Sequence, residues 1–314
     1  MVTEEASEHS SGARRFGATI ERVGIAGLGR RVVKDAAEAD VPGMAAEMAY
    51  HSLFALFSLL LFLAGLTAVV DDLFGIENMR ARLIGSARDV LPENASVLIE
   101  SFLTDVVDSR GQGALIFGLI GVGWSGSNLV GSAMKGLNRI ARTNESRGVI
   151  ERKLLAIGLA FGLGGMIVAA TIIVVFHGAL ANGFADAFGG RGTAELIMTV
   201  VAWPAALLIL ALAAAVLYWQ GSDRDHAFNW VTPGAILFAV GWVVASIIAS
   251  LYISHGGPPN RTYGLIAAIM AATVWLYWSN LLFLAGAVLN AHVEDARTHG
   301  SSAQRGQQPA EAQP

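Results

Sequence analysis

The chain has 314 residues, of which 54% are hydrophobic and only 15% charged, at a mean hydropathy of +0.53. That is too little charge for the surface of a water-soluble fold of this size, and a net charge of −4 argues against nucleic acid as a partner. The absence of cysteine excludes disulfides, thiolate metal sites and cysteine nucleophiles together.

Residues 1–40 form a polar arm rich in Ser, Glu and Arg, and without an apolar run they do not read as a cleavable signal peptide. Within the arm Phe16, Ile20, Val23, Ile25, Leu28 and Val32 recur at helical spacing among basic residues. This pattern predicts a basic amphipathic helix lying on an anionic membrane surface.

From residue 48 onward the chain holds six long runs free of Asp, Glu, Lys and Arg, and each is long enough to cross the roughly 30 Å hydrocarbon core of a bilayer as a helix. The predicted spans are 48–70, 113–134, 154–182, 196–219, 232–254 and 264–291. They are continuously apolar rather than alternating, which excludes barrel strands. The expected fold is therefore all-α, a polytopic bundle over residues 41–293, with a disordered tail at 294–314. Between the first two spans, Pro92 opens an amphipathic stretch with Leu98, Phe102 and Val106 on one face, a predicted surface helix in the most acidic loop. Thr193 before Glu195, and Thr232 before Pro233, carry helix-start chemistry. Pro204 falls inside the fourth span and removes a backbone donor there.

Orientation follows from the basic residues between spans. The arm and the loop joining the second and third spans hold six each, and Arg224, Arg297 and Arg305 bring that side to fifteen of the 21, against six opposite. The positive-inside rule then places both termini in the cytoplasm.

Polar residues inside apolar spans are costly and tend to face the protein interior, so they are the default candidates for a pathway. Asn128, His177 and Asn280 are the deepest. Thr273, Tyr277 and Asn280 are spaced by four and three and share one helix face, from which Asn280 has Asn128 or a ligand as prospective partners. His177, near the outer end of the third span, is a candidate for proton coupling or a structural interfacial histidine. Just beyond the second span, Asn138 and Arg139 are a candidate contact for an anionic headgroup, with a snorkelling arginine as the plainer reading. Small residues at intervals of four, Gly158 and Gly162, Ser127 and Gly131, Gly241 with Ala245 and Ala249, and Gly264 with Ala268 and Ala272, predict close helix packing. No phosphate-binding loop, HxH or HExxH pattern is present, so no catalytic, metal or cofactor residue is assigned.

The last third carries the most specific pattern: Pro233-Gly234, Trp242, Leu251-Tyr252, Thr262-Tyr263-Gly264, Trp275-Leu276-Tyr277-Trp278 and Gly286-Ala287-Val288-Leu289-Asn290-Ala291. With Ala49-Tyr50, Trp124-Ser125 and Leu137-Asn138-Arg139 upstream, the chain from about Asp40 to Glu294 resembles the YihY/BrkB family of bacterial inner-membrane proteins. It departs from that family at Ala49-Tyr50-His51 and Ser58-Leu59, where a Phe-Tyr pair and a following Pro are usual. The resemblance implies six helices, cytoplasmic termini and a plasma-membrane location. It brings no catalytic residues, since the family's ribonuclease BN label is regarded as a misassignment. The expected role is transport or envelope assembly involving a lipid or other amphiphile, with membrane lipids as partners. The alternative is a non-transporting scaffold for envelope proteins, and small-residue faces also suit a homo-oligomer.

Overall fold

The structure, a computed structural model, describes residues 29–30, 32–74, 93–183, 190–223, 232–255 and 264–305. Among these residues there is no strand. Six helices dominate: α1 Val41–Phe74, α2 Glu93–Ile140, α3 Val149–Gly183, α4 Arg191–Gly221, α5 Pro233–His255 and α6 Gly264–Arg305. Each contains a stretch long and apolar enough to span a bilayer, so the chain is the all-α polytopic bundle that its charge-free runs predict.

Several helices outrun their apolar runs. α1 begins at Val41 and carries Glu47 within it, because that carboxylate accepts hydrogen bonds from Ser132 Oγ at 3.0 Å and Lys135 Nζ at 2.9 Å on α2. α2 has 48 residues and a length of about 72 Å at 1.5 Å per residue, more than twice the hydrocarbon thickness. The outer-loop segment after Pro92 is helical, as its periodicity predicts, and it joins the second span without a break. No proline interrupts residues 93–140, so the backbone ladder continues through Gly111 and Gly113. α6 likewise runs on to Arg305, so residues 294–305, expected to be disordered, are helical. Most of the expected arm helix lies outside the described residues, but 29–30 and 32–38 are helical. Asp35 from that segment lies 2.9 Å from His292 Nε2 on α6.

The helices pack in chain order. α1 lies most extensively on α2, α3 on α4 and α5 on α6, while α6 returns to α1 and closes the ring. α2 also touches α4 and α6. At the α1–α2 crossing the helices approach so closely that a Cβ on Gly65 would land on the Leu115 backbone, and one on Gly118 on the Phe62 backbone. The periodic small residues are a poorer guide. Gly131, Gly158 and Gly162 face open space, whereas Gly241 does pack against Leu282 of α6.

The buried core lies at one end, called here the basic end because it carries the arm and the α2–α3 loop. Met44 and Met48 of α1, Leu137 of α2, Tyr218 of α4, Phe238 of α5 and Leu284 of α6 meet there. Met134 and Leu284 are completely buried. Towards the far end large apolar side chains stand open, among them Val200 and Trp203 of α4, Val244 and Ile248 of α5, and Met270 and Val274 of α6.

Helix ends at the basic end are closed by specific bonds. α2 stops in a paired C-terminal motif, with Thr143 N–H on Asn138 C=O, Arg142 N–H on Arg139 C=O and Arg142 in the left-handed region at φ 54°. At the far end α4 starts at Arg191 after Gly190, so Thr193 is not its cap. α5 starts as predicted, Thr232 Oγ accepting the Ala235 N–H at 3.1 Å. Asn290 of α6 completes that cap: its Oδ1 accepts the Gly234 N–H at 2.8 Å and its Nδ2 donates to Thr232 Oγ at 3.1 Å. Asn290→Ala, which strips two of these bonds, is expected to lower the unfolding free energy in detergent by about 1–2 kcal/mol, read from chemical unfolding curves.

Candidate functional site

The predicted polar residues separate into three groups. Asn280 lies where the packed core ends on α6, one turn before Phe283 and Leu284. Its Nδ2 donates to Ser52 Oγ of α1 at 3.1 Å and to Leu276 C=O of its own helix at 2.8 Å. Thr273 Oγ1 is taken by Ile269 C=O at 2.7 Å, and Tyr277 packs beside the core with its ring edge towards Trp278. These three share a face as their spacing predicts. Across helices Asn280 meets Ser52 of α1 and not Asn128 of α2.

Asn128 belongs to a second group, between α2 and α3. Its Oδ1 accepts from Lys153 Nζ at 2.9 Å, and Ser127 Oγ accepts from the same ammonium at 2.8 Å. The ammonium also stands over the Trp124 ring, 5.1 Å from its centroid. Lys153 lies at the edge of the third apolar run, and its flexible stem carries the charge inward to α2. A search confined to charge-free segments misses it, because the residue that completes Asn128 is the charge that ends the segment.

The third group is built around Asn138, buried at 6% exposure where α2 ends. Its Nδ2 donates to Glu145 at 3.0 Å and its Oδ1 accepts the Asp223 N–H at 2.7 Å, so the amide is held on both sides by protein. Arg147 lies beside it, donating to the carbonyl oxygens of Gln220 and Ser222 at 3.2 Å each and lying 3.4 Å from the Asp223 carboxylate. Hydrogen bonds from the Ser146 hydroxyl and N–H, with the Arg147 charge, hold the Asp223 carboxyl below its ordinary value, against a smaller opposing effect of burial. Arg139 faces Asp40 at 3.8 Å, with both side chains half exposed. His177 lies in α3, but its side chain is outside the described residues. Among the described residues no cluster of three metal-ligating side chains occurs.

Six apolar helices with paired polar groups between them define an integral membrane protein of the polytopic helical class. The family described as Virulence factor BrkB matches residues 32–312, so the chain belongs to the BrkB family, as its resemblance implies. Among curated relatives, the ribonuclease-like protein YfkH of Bacillus subtilis is 29% identical over 78% of this chain and 87% of its own length. A UPF0761 membrane protein of Alteromonas mediterranea is 23% identical over 84% of this chain and 86% of its own. No solved structure matches the chain.

Proposed function

We propose that this chain is an inner-membrane protein, with its basic end and both termini in the cytoplasm, that moves or hands on a lipid or other amphiphile. The observation that carries the reading is the division of the bundle: large side chains are buried together at the basic end, whereas towards the far end only alanines, Ala64, Ala114 and Ala202, are buried among the described residues. The Asn280–Ser52 pair sits at the boundary, where a polar headgroup entering from the far end would meet the floor of the packed region. Fifteen basic residues against six support the orientation. The ribonuclease-like name of the Bacillus relative is a historical label, and no nuclease chemistry is taken from it.

The test is movement of a fluorescent phospholipid across liposomes containing the purified protein. Wild type is expected to move the probe faster than empty liposomes, and Asn280→Ala to slow it several-fold with the fold intact. Equal rates with and without protein, across several lipid headgroups, would remove the transport reading. A scaffold is favoured instead by the 20 residues of α2 before Gly113, about 30 Å of helix that extends past the span. Under that reading, shortening this extension releases a partner while lipid movement is absent throughout.

A further inference from the structure

The basic residues from Lys135 to Lys153 are not equally neutralised. Lys135 lies 2.9 Å from Glu47, Arg139 3.8 Å from Asp40, Arg142 4.0 Å from Glu38 and Arg147 3.4 Å from Asp223. Arg152 and Lys153 have no carboxylate within 4.0 Å among the described residues. The partners of Lys153 are a hydroxyl, an amide oxygen and an indole face, which hold an ammonium in place without cancelling its charge. In a medium of low dielectric such a charge attracts an anion strongly.

The surroundings specify what kind of anion. Trp124 is 68% exposed although its ring contacts Lys153, so the indole presents an open amphipathic surface. Val149 and Ile150, four and three residues before Lys153, share its side of α3 and are 79% and 77% exposed. With Leu154, Gly148 and the exposed Glu151 they line an open hollow of about 610 Å³. Glu151 pairs with neither Arg152 nor Lys153. A held cation, an exposed indole and a neighbouring apolar flank match a charged headgroup with its acyl chain.

We propose that this face of α2 and α3 binds an anionic phospholipid, its phosphate on Lys153 beside Trp124 and its acyl chain running inward along Leu154. Asn138 and Arg139 do not serve in this way, because Asn138 is held on both sides by protein and Arg139 faces Asp40. The site rests on the lipid-handling reading for its role, while its binding can be measured without transport.

The experiment uses the full chain in vesicles of brominated phosphatidylglycerol with plain phosphatidylcholine, and in the mirror mixture. Bromine quenches a nearby indole, and the share of emission that disappears in Trp124→Phe reports the lipid beside that residue. Wild type is expected to favour phosphatidylglycerol about fivefold, the factor that one basic residue near an anionic headgroup implies. Lys153→Gln is expected to bring the ratio to about one and Lys153→Arg to restore most of it. Because Lys153 also ties α3 to α2, Asn128→Asp provides a second arm: it keeps the ammonium in place but neutralises it, and should abolish the preference in a folded protein. A preference unchanged in Asn128→Asp, or equal quenching by both lipids in wild type, overturns the proposal. So does loss of the preference in millimolar inorganic phosphate but not in chloride of equal ionic strength, which would assign the site to a soluble anion. A preference that follows these charges while no variant moves lipid leaves the site standing and removes transport.

Discussion

Gly286→Ala is expected to destabilise the folded bundle by about 3 kcal/mol or more, at the upper end of what overpacking a core costs. A Cβ at this position would lie 2.5 Å from the Gly234 carbonyl oxygen of α5 and 2.5 Å from Tyr218 Oη of α4. The first obstacle is backbone and cannot rotate away. The second is buried and occupied, since Tyr218 donates to the Phe283 carbonyl at 2.7 Å and stacks on the Phe283 ring at 4.7 Å. One methyl group therefore pushes α5 off α6 and breaks a buried hydrogen bond at once. Gly234→Ala should behave alike, because its Cβ would land on the Gly286 carbonyl and crowd the Asn290 amide. Gly158→Ala and Gly162→Ala are the controls: with open space around them they should be neutral, or stabilising by up to about 1 kcal/mol through helix propensity. Unfolding in detergent micelles, followed by size-exclusion of the surviving fraction, separates the two pairs. If Gly286→Ala survives as well as Gly158→Ala, the close approach of α5 and α6 is wrong.

That contrast shows what the sequence could and could not reveal. Six spans are legible because a bilayer penalises every unpaired charge, and a run of some 20 residues without one is hard to produce for another reason. Which glycines matter is not legible, because spacing by four permits a close approach without requiring one. Gly158 and Gly162 have the spacing and no neighbour, whereas Gly65 and Gly118 have the neighbour and stood out in no pattern. The polar residues follow the same logic. Asn128 and Asn280 announce themselves as amides in apolar segments, but their partners Lys153 and Ser52 come from other helices, and only the packing decides them. The start of α5 was the easier case, since Thr232 and Pro233 act within one turn of chain, although Asn290, 56 residues on from Gly234, was not foreseeable.

Arg147 is the sharpest instance, and it carries the second large effect. In the sequence it is one of fifteen basic residues on the same side and reads as part of an orientation signal. In the structure it is 18% exposed and closes the end of α4, occupying two carbonyl groups and facing the Asp223 carboxylate. Those carbonyls stand among the orphan acceptors at a helix C-terminus, where a cation is also favoured by the helix dipole. Arg147→Ala is expected to cost about 3 kcal/mol, from two charge-assisted bonds to the carbonyl groups that cap α4 and the lost charge beside Asp223. Arg147→Lys distinguishes this from an orientation role: it keeps the charge, so topology is unaffected, yet a point ammonium cannot reproduce the fork and should recover less than half of the loss. A fully stable Arg147→Lys would return the residue to the orientation signal. The pH dependence has a definite sign. Since the Asp223 carboxyl is held below its ordinary value of 3.8, its stabilisation is present above that value and is lost as the pH falls through the lowered one. Asp223→Asn should therefore be less stable than wild type from neutral pH down to about 4. In stronger acid, below the lowered value, the two proteins should converge, because wild type then carries a neutral side chain at the same place, and an unfolding series carried from neutral pH to below that value reads the convergence directly.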